Sequence, residues 1–247
     1  MTNAPPHSIL IIDDDPVSCE VMAMTLEMHG YAVTSASDGS TALVTLDEAA
    51  RKPDLILMDT QMPGLSGTEL IRALRAAGSM RIVAISASEP GEAIREASDG
   101  FLLKPVEPEA VTSLLNAPVQ VVSLAAQAAP AAAMPATASP VDPVILGKFR
   151  AMMPPKAVRE IYAATATDMK VRVGSLEEAI DAANALEVSR IAHSIKGVCA
   201  MVGLTAGREA AARLEVSNLP VTWPGDLMQL RIALEALEVM LADDFSA

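Results

Sequence analysis

The stretch ILIIDDDP, residues 9–16, determines the first step of the fold. Four large aliphatic residues in a row are typical of a buried β-strand. Asp15 followed by Pro16 is typical of a helix start, with the aspartate as N-cap and the proline in the first helical position. The acidic run from Asp13 to Asp15 therefore lies where a strand passes into a helix.

The same change from an apolar strand to an amphipathic helix recurs four times before residue 117. The other predicted strands are YAVTSA, DLILM, RIVAI and GFLLK, and the predicted helices cover residues 16–29, 39–51, 66–77, 91–98 and 107–115. Such alternation predicts an α/β domain with a doubly wound, five-stranded parallel sheet. Ligands of these sheets bind beyond the carboxyl ends of the strands.

The composition changes after this region. Residues 117–141 contain no charged side chain and four prolines, which predicts a linker, although its first part, VQVVSLAAQAA, could prolong a helix. We therefore predict domains at residues 1–116 and 142–247. The second domain has no strand pattern, and its predicted helices form an all-α bundle over residues 143–152, 155–182, 185–202, 205–217 and 225–244.

Polar residues follow several strands of the predicted sheet. They are Asp13, Asp14, Asp59, Ser86 and Lys104. Clustered carboxylates repel one another unless a cation joins them, and an all-oxygen acidic site suits Mg²⁺. Asp59 would then act as an attacking carboxylate, with Ser86 and Lys104 holding phosphoryl oxygens. The alternative is that these aspartates merely cap helices and turns, which is how we interpret Asp15.

The motifs ILIIDDDP, LILMDTQMPGLSG, IVAISA and FLLKP resemble those of two-component response-regulator receiver domains, over residues 7–116. The resemblance implies a flavodoxin-like fold. It also implies a role for each motif residue: Asp59 as phospho-acceptor, Asp13 and Asp14 as Mg²⁺ ligands together with Asp59, Gln61 as a metal ligand through its backbone carbonyl, Ser86 and Lys104 as phosphate-sensing groups, and Phe101 as the aromatic switch. The 18-residue step from Ser86 to Lys104 predicts a shortened fourth helix after Pro90.

A second candidate site is His193, in the segment LEVSRIAHSIKGVCAMVG. On a helix, Ile191, Ile195 and further aliphatic residues form one stripe, and His193 lies about 200° from Ile191. This periodicity predicts an exposed imidazole on the face away from the core. Small residues at positions 189, 197 and 200 predict a shallow groove beside it, with Lys196 and Arg190 able to stabilise added negative charge. The alternative is an ordinary surface histidine.

The segment AHSIKGVCAMVGL resembles the H-x-x-K-G motif of histidine phosphotransfer (HPt) domains, over residues 141–247. The resemblance implies that His193 carries a phosphoryl group and that Lys196 and Gly197 belong to its motif. His7 and His29 match no such motif, and we interpret them as ordinary surface residues.

The overall composition excludes several other classes of protein. Residues 1–116 hold 17 acidic against 7 basic side chains and residues 140–247 hold 14 against 11, so binding to nucleic acid is not expected. We find no secretory signal and no membrane-spanning segment, and the two widely separated cysteines suit the cytoplasm. There is no P-loop G-x-x-x-x-G-K-[ST] motif or other nucleotide site, so a phosphoryl group must come from another molecule.

These features predict a cytoplasmic intermediate of a phosphorelay. Its expected cofactor is Mg²⁺, and its expected partners are a sensor histidine kinase or hybrid kinase and a response-regulator receiver domain. Whether His193 exchanges phosphoryl groups with Asp59 of its own chain or with another receiver stays open, as does the direction of transfer. The alternatives are a non-catalytic regulator that docks on a kinase or response regulator, and a phosphate sink that drains a kinase.

Overall fold

The computed structural model describes residues 6–116, 122–123, 139–217 and 220–243. The chain forms two compact units, Met1–Ala131 and Ala132–Ala247.

The first unit is a parallel sheet flanked by helices. Its strands are β1 (Ser8–Ile12), β2 (Ala32–Ala36), β3 (Leu55–Asp59), β4 (Arg81–Ser86), β5 (Gly100–Leu103) and β6 (Val122–Ser123), in the order β2-β1-β3-β4-β5-β6. The helices are α1 (Pro16–Met28), α2 (Gly39–Glu48), α3 (Gly67–Ala77), α4 (Glu92–Ala97) and α5 (Pro108–Asn116). The predicted five-stranded parallel sheet is confirmed, and β6 adds a two-residue strand at its edge.

The centre of this sheet is buried on both faces, as expected when helices cover a parallel sheet. Every residue of β3 is buried, and so is every residue of β1 and β4 except the first. Parallel register places the carboxyl ends of these three strands at one edge, because Ile12 pairs with Met58 and Asp59 pairs with Ile85. The residues that follow the strands therefore meet on one rim.

Helix α4 is short, as the spacing between Ser86 and Lys104 predicts. It has six residues, none of them buried, and it starts directly after Pro90 and Gly91. The segment after its C-terminus is held by α3, because the guanidinium of Arg75 on α3 donates to the Asp99 carboxylate at 2.7 Å. The other oxygen of Asp99 accepts the Ile82 backbone N–H, also at 2.7 Å.

Within the predicted linker, Val122–Ser123 pairs with Gly100–Phe101 of β5 as a strand rather than prolonging a helix. The linker prediction for residues 117–121 and 124–138 lies outside the described residues. The last residue predicted as linker, Val141, is buried.

The second unit is an all-α bundle in its described part, as predicted. Its helices are α6 (Pro143–Met152), α7 (Pro155–Asp181), α8 (Ala185–Val202), α9 (Thr205–Val216) and α10 (Trp223–Asp243). The Asp142 backbone N–H donates to the Gly203 carbonyl at 2.8 Å, which attaches the start of α6 to the turn between α8 and α9. Gly203 ends α8 in the left-handed conformation, with φ 77°.

Helix α8 differs from an ordinary amphipathic helix, because all eight residues from Ile195 to Val202 are buried. Neighbouring α9 presents Gly207, Ala210 and Ala211 as buried small residues. Small side chains let two helices approach closely, so that α9 covers the face of α8 that periodicity assigns to solvent. Across the described helices, none is both long and apolar enough to cross a membrane.

Candidate functional site

The rim of the sheet gathers the side chains that the sequence places after its strands. Asp13, Asp59, Ser86 and Lys104 are all buried there, although each is polar or charged. The Lys104 backbone N–H also donates to the Ser86 carbonyl at 2.8 Å, which ties the ends of β4 and β5 together. Buried charges are stable only when they are paired, so the partners of these groups define the site.

Lys104 joins the two buried aspartates. Its Nζ lies 2.8 Å from Asp13 Oδ2 and 2.5 Å from Asp59 Oδ2. Burial by itself lowers the pKa of the Lys104 ammonium, but the charges of Asp13 and Asp59 outweigh burial and raise it above its ordinary value. Lys104 is therefore a fixed cation that holds both carboxylates in the resting site.

Each aspartate has additional donors. Asp13 Oδ1 accepts the Asp15 backbone N–H at 3.0 Å, and Asp13 Oδ2 accepts the Ser18 hydroxyl at 2.7 Å. Asp59 Oδ1 accepts the Gln61 backbone N–H at 2.9 Å. Backbone donors from the loops after β1 and β3 thus orient the carboxylates toward Lys104.

Asp14 is the third carboxylate of the rim and is half-buried. Its pKa is raised, first by burial and then by the negative charges of Asp13 and Asp59. Three carboxylates beside the single Lys104 ammonium leave an excess of negative charge. A further cation, or protonation of one carboxylate, would therefore reduce the electrostatic repulsion at the rim.

The residues of the rim fit the expected Mg²⁺ in their donor chemistry. Carboxylates of Asp13, Asp14 and Asp59 and the Gln61 carbonyl are oxygen ligands, which Mg²⁺ prefers, and a divalent charge would neutralise the excess. Among the described residues, no group of three or more histidine, cysteine, aspartate or glutamate side chains is arranged to hold a metal ion, and Lys104 pairs with two of the rim carboxylates.

Ser86 and Phe101 lie beside this cluster. The Ser86 hydroxyl is buried and accepts the Ser88 backbone N–H at 3.3 Å, so it faces the loop after β4. Phe101 is buried in β5, and the Arg95 guanidinium of α4 lies 5.2 Å from the centre of its ring. This cation–π contact couples α4 to the predicted switch residue, and the sequence did not reveal it.

The structure corrects the prediction of an exposed His193. Its side chain is only 12% exposed and that of Lys196 only 6%, because α9 covers this face of α8. The predicted groove is also wrong, because Gly197 and Ala200 are buried and the Ser189 hydroxyl donates to the Glu215 carbonyl at 2.9 Å.

Glu215, near the end of α9, is the partner of His193. Its Oε1 lies 2.6 Å from His193 Nδ1, and its Oε2 lies 2.5 Å from Lys196 Nζ. Burial raises the pKa of the Glu215 carboxyl, but the hydrogen bonds from His193 and Lys196 outweigh burial and lower it below its usual value. Glu215 is therefore ionised at neutral pH.

An ionised carboxylate can only accept hydrogen bonds, so the contact with Glu215 assigns the proton to His193 Nδ1. In the neutral imidazole the lone pair then lies on Nε2. Arg190, which was expected to support this site, donates to Glu187 instead, with N–O distances of 3.0 and 2.5 Å. The structure brings the Glu215 carboxylate to His193, and the same carboxylate binds Lys196.

Family models match part of each unit. A family model described as "Response regulator receiver domain" matches residues 9–116, and one described as "Hpt domain" matches residues 160–239. These matches confirm both resemblances inferred from the motifs.

Two curated response regulators each match a little under half of this chain. The DNA-binding response regulator MtrA of Mycolicibacterium smegmatis is 31% identical over 113 residues, which are 44% of this chain and 49% of MtrA. The nitrate/nitrite response regulator NarL of Escherichia coli is 36% identical over 123 residues, which are 47% of this chain and 56% of NarL. The chain thus spans about half the length of the curated relatives it matches.

Two solved structures each cover 44% of this chain. The receiver domain of the hybrid histidine kinase CckA is 32% identical, with 44% of this chain and 98% of that domain covered and a TM-score of 0.38. The chemotaxis protein CheY4 of Vibrio cholerae is 26% identical, with 44% of this chain and 96% of CheY4 covered and a TM-score of 0.40.

Proposed function

We propose that this chain, whose residues 9–116 belong to the response-regulator receiver family and whose residues 160–239 belong to the Hpt family, carries phosphoryl groups on Asp59 and on His193. The two families support a role in phosphorelay signal transduction. What supports the assignment to these two residues is that each is a nucleophile held in place by a charged side chain: Asp59 by the Lys104 ammonium and His193 by the Glu215 carboxylate.

In the first unit, an Asp59 carboxylate oxygen attacks the phosphorus of a phosphohistidine on a partner. A P–O bond forms, the P–N bond breaks, and its electron pair returns to the imidazole nitrogen of the partner. The Lys104 ammonium and the Ser86 hydroxyl then compensate the charge of the phosphoryl oxygens. Mg²⁺, held by Asp13, Asp14, Asp59 and the Gln61 carbonyl, would supply electrostatic stabilisation of the transferred group.

In the second unit, His193 Nε2 attacks the phosphorus of an aspartyl phosphate. A P–N bond forms, the P–O bond breaks, and the released aspartate keeps the electron pair. The imidazole becomes positively charged as the bond forms, and the Glu215 carboxylate on Nδ1 stabilises that charge. Lys196 keeps Glu215 ionised and orients it, so Glu215 and Lys196 act as positioning residues for His193.

The partners follow from the chemistry of the two residues. The donor to Asp59 is a phosphohistidine, which we propose is supplied by a sensor kinase or hybrid kinase. His193 exchanges its phosphoryl group with a receiver aspartate. In this proposal the chain is an intermediate that passes phosphoryl groups between proteins.

The test is chemical phosphorylation of the purified full-length chain. Wild type, Asp59→Asn and His193→Gln are incubated with Mg²⁺ and acetyl phosphate, and the adducts are then exposed to acid and to base. An acyl phosphate is base-labile and a phosphohistidine is acid-labile. We expect a base-labile adduct that is lost in Asp59→Asn.

Phosphoramidate provides the corresponding assay for the second unit, with an acid-labile adduct expected in wild type and absent in His193→Gln. Absence of both adducts in wild type would contradict the proposal and favour a docking regulator. An acid-labile adduct that forms from acetyl phosphate and disappears in both variants would show transfer from Asp59 to His193 of this protein.

A further inference from the structure

Ser18 is a buried hydroxyl in the first turn of α1, fully shielded from solvent. Its backbone N–H donates to Asp15 Oδ1 at 2.8 Å, the N-cap bond of the helix. Its hydroxyl donates to Asp13 Oδ2 at 2.7 Å. The N-cap bond fixes the backbone of Ser18, and the helix thereby fixes the direction of the hydroxyl.

The Ser18 hydroxyl is one of few hydrogen-bond donors to the buried Asp13 carboxylate in the described part of the chain. Asp13 is 1% exposed, so water cannot replace a lost donor. Two side chains of the described part of the chain, Ser18 and Lys104, donate to its Oδ2, while the Asp15 backbone N–H donates to its Oδ1. Of these donors, Lys104 is the one that also bonds to Asp59.

A phosphoryl group on Asp59 competes for the Lys104 ammonium, because its oxygens occupy the space beside the Asp59 carboxylate. When Lys104 turns toward that group, Asp13 loses one of its two side-chain donors. The Ser18 hydroxyl lies on α1, and its bond to Asp13 does not involve Asp59. It therefore stays in place while Lys104 moves.

We propose that Ser18 is a positioning residue that holds the Asp13 carboxylate in the orientation required for Mg²⁺. This inference rests on the proposed function, because it assigns Mg²⁺ to the acidic rim. Without the hydroxyl, Asp13 is held on Oδ2 by Lys104 alone and turns toward that cation, away from a metal. Ser18 does not touch the phosphoryl group in this account.

The test is the Mg²⁺ affinity of the full-length chain, measured by isothermal titration calorimetry. Ser18→Ala deletes one oxygen atom and leaves the backbone N–H of the N-cap bond intact. We expect Mg²⁺ to bind about tenfold more weakly, the loss typical of a hydrogen bond to a charged group. The matched control is Thr25→Val, since the buried Thr25 hydroxyl on the same helix donates to the Val21 carbonyl at 2.7 Å.

A second readout separates positioning from chemistry. The Mg²⁺ concentration for half-maximal labelling by acetyl phosphate should rise about tenfold in Ser18→Ala, while the rate at saturating Mg²⁺ stays near wild type. Thermal unfolding monitored by circular dichroism establishes that the variant is folded. Thr25→Val should match wild type in both Mg²⁺ measurements.

Three results would overturn the inference: Mg²⁺ affinity of Ser18→Ala within twofold of wild type, an equal loss in Thr25→Val, or a fall in the saturated rate alone. Failure of the proposed function looks different. In that case wild type itself binds no Mg²⁺ and shows no base-labile adduct, whereas an error about Ser18 leaves the wild type fully active.

Discussion

The Glu215 carboxylate on α9 binds His193 Nδ1 on α8 at 2.6 Å, across a helix pair and 22 residues apart in the chain. The same carboxylate binds Lys196, which lies one helical turn from His193. His193 is therefore a histidine with a fixed proton and a fixed counter-ion, in contrast to the freely exposed residue that helical periodicity predicts.

Replacing Glu215 should slow phosphorylation of His193. Glu215→Gln keeps the shape of the side chain but removes the charge that stabilises the phosphorylated imidazole, and we expect a rate about tenfold lower with phosphoramidate. Glu209→Gln is the matched control, because Glu209 lies on the same helix and is exposed. Equal rates for Glu215→Gln and wild type would show that the carboxylate has no role in the reaction.

Removing Lys196 should destabilise the helical unit. Lys196→Met leaves the partly buried Glu215 carboxylate without its ammonium donor, and we expect the free energy of unfolding to fall by about 2 kcal/mol. The chain has a single tryptophan, the buried Trp223 of α10, so its fluorescence during urea titration reports this unit. An unchanged urea midpoint in Lys196→Met would argue against the ion pair.

The stability of the helical unit should depend on pH through Glu215. Its pKa is lowered in the folded state from the ordinary 4.5, so its contribution is fully present above 4.5 and is lost as pH falls through the lower folded value. Urea titrations followed by Trp223 at pH 7, 5 and 4 should show this loss in wild type. In Glu215→Gln the difference in the free energy of unfolding between pH 7 and pH 4 should be smaller than in wild type. An equal pH dependence of that free energy in the two proteins would refute the assignment to Glu215.

Neutralising Asp14 should stabilise the first unit when Mg²⁺ is removed. Its pKa is raised, so its charge costs folding free energy at pH 7, and Asp14→Asn removes that cost. We expect a gain of up to about 1 kcal/mol, because solvent screens part of the repulsion at this half-buried group. Calorimetric unfolding in EDTA measures this gain in stability, and Asp47→Asn, at an exposed position, is the control. A gain of equal size in the two variants would show that net charge alone accounts for it.

Two glycines in the bundle should respond to alanine with opposite signs. A Cβ at Gly207 would lie 2.9 Å from Cys199 Sγ and 3.1 Å from Leu204 Cδ2, so Gly207→Ala should cost about 2 kcal/mol as α8 and α9 are forced apart. A Cβ at Gly174 meets no atom within 4 Å, and Gly174→Ala should add about 0.5–1 kcal/mol through its higher helix propensity. Urea titrations followed by Trp223 fluorescence measure both changes in the free energy of unfolding. A stabilising effect of Gly207→Ala would contradict the close packing of α8 and α9.

The sequence predicts the helices and strands of this chain well, because helix caps, breaks and apolar periodicity depend on residues close together in the chain. The bundle helix predicted at residues 185–202 occurs as Ala185–Val202, and the one predicted at 143–152 as Pro143–Met152. Caps and breaks explain this agreement: Asn184 caps α8 through Glu187 N–H, and Gly203 ends it. The rim of the sheet was equally predictable, since parallel strands bring their carboxyl ends to one edge.

The environment of His193 was not predictable in the same way. Periodicity treats a helix as packed on one side, whereas α8 is packed by α9 on the face that carries the histidine. The signal for this packing is the run of small residues at 207, 210 and 211, which lies on the other helix. Glu215 and Ser18 were missed for a related reason: each acts through a side-chain contact that has no sequence motif of its own.

The attachment of Asp142 to Gly203 also has a mechanical consequence. Because the Asp142 backbone N–H bonds to the turn between α8 and α9, and Val141 before it is buried, a pulling force applied from residue 139 loads this turn. That turn joins the two helices that carry His193 and Glu215. Tension in the preceding chain would therefore be transmitted to the base of the hairpin that carries His193.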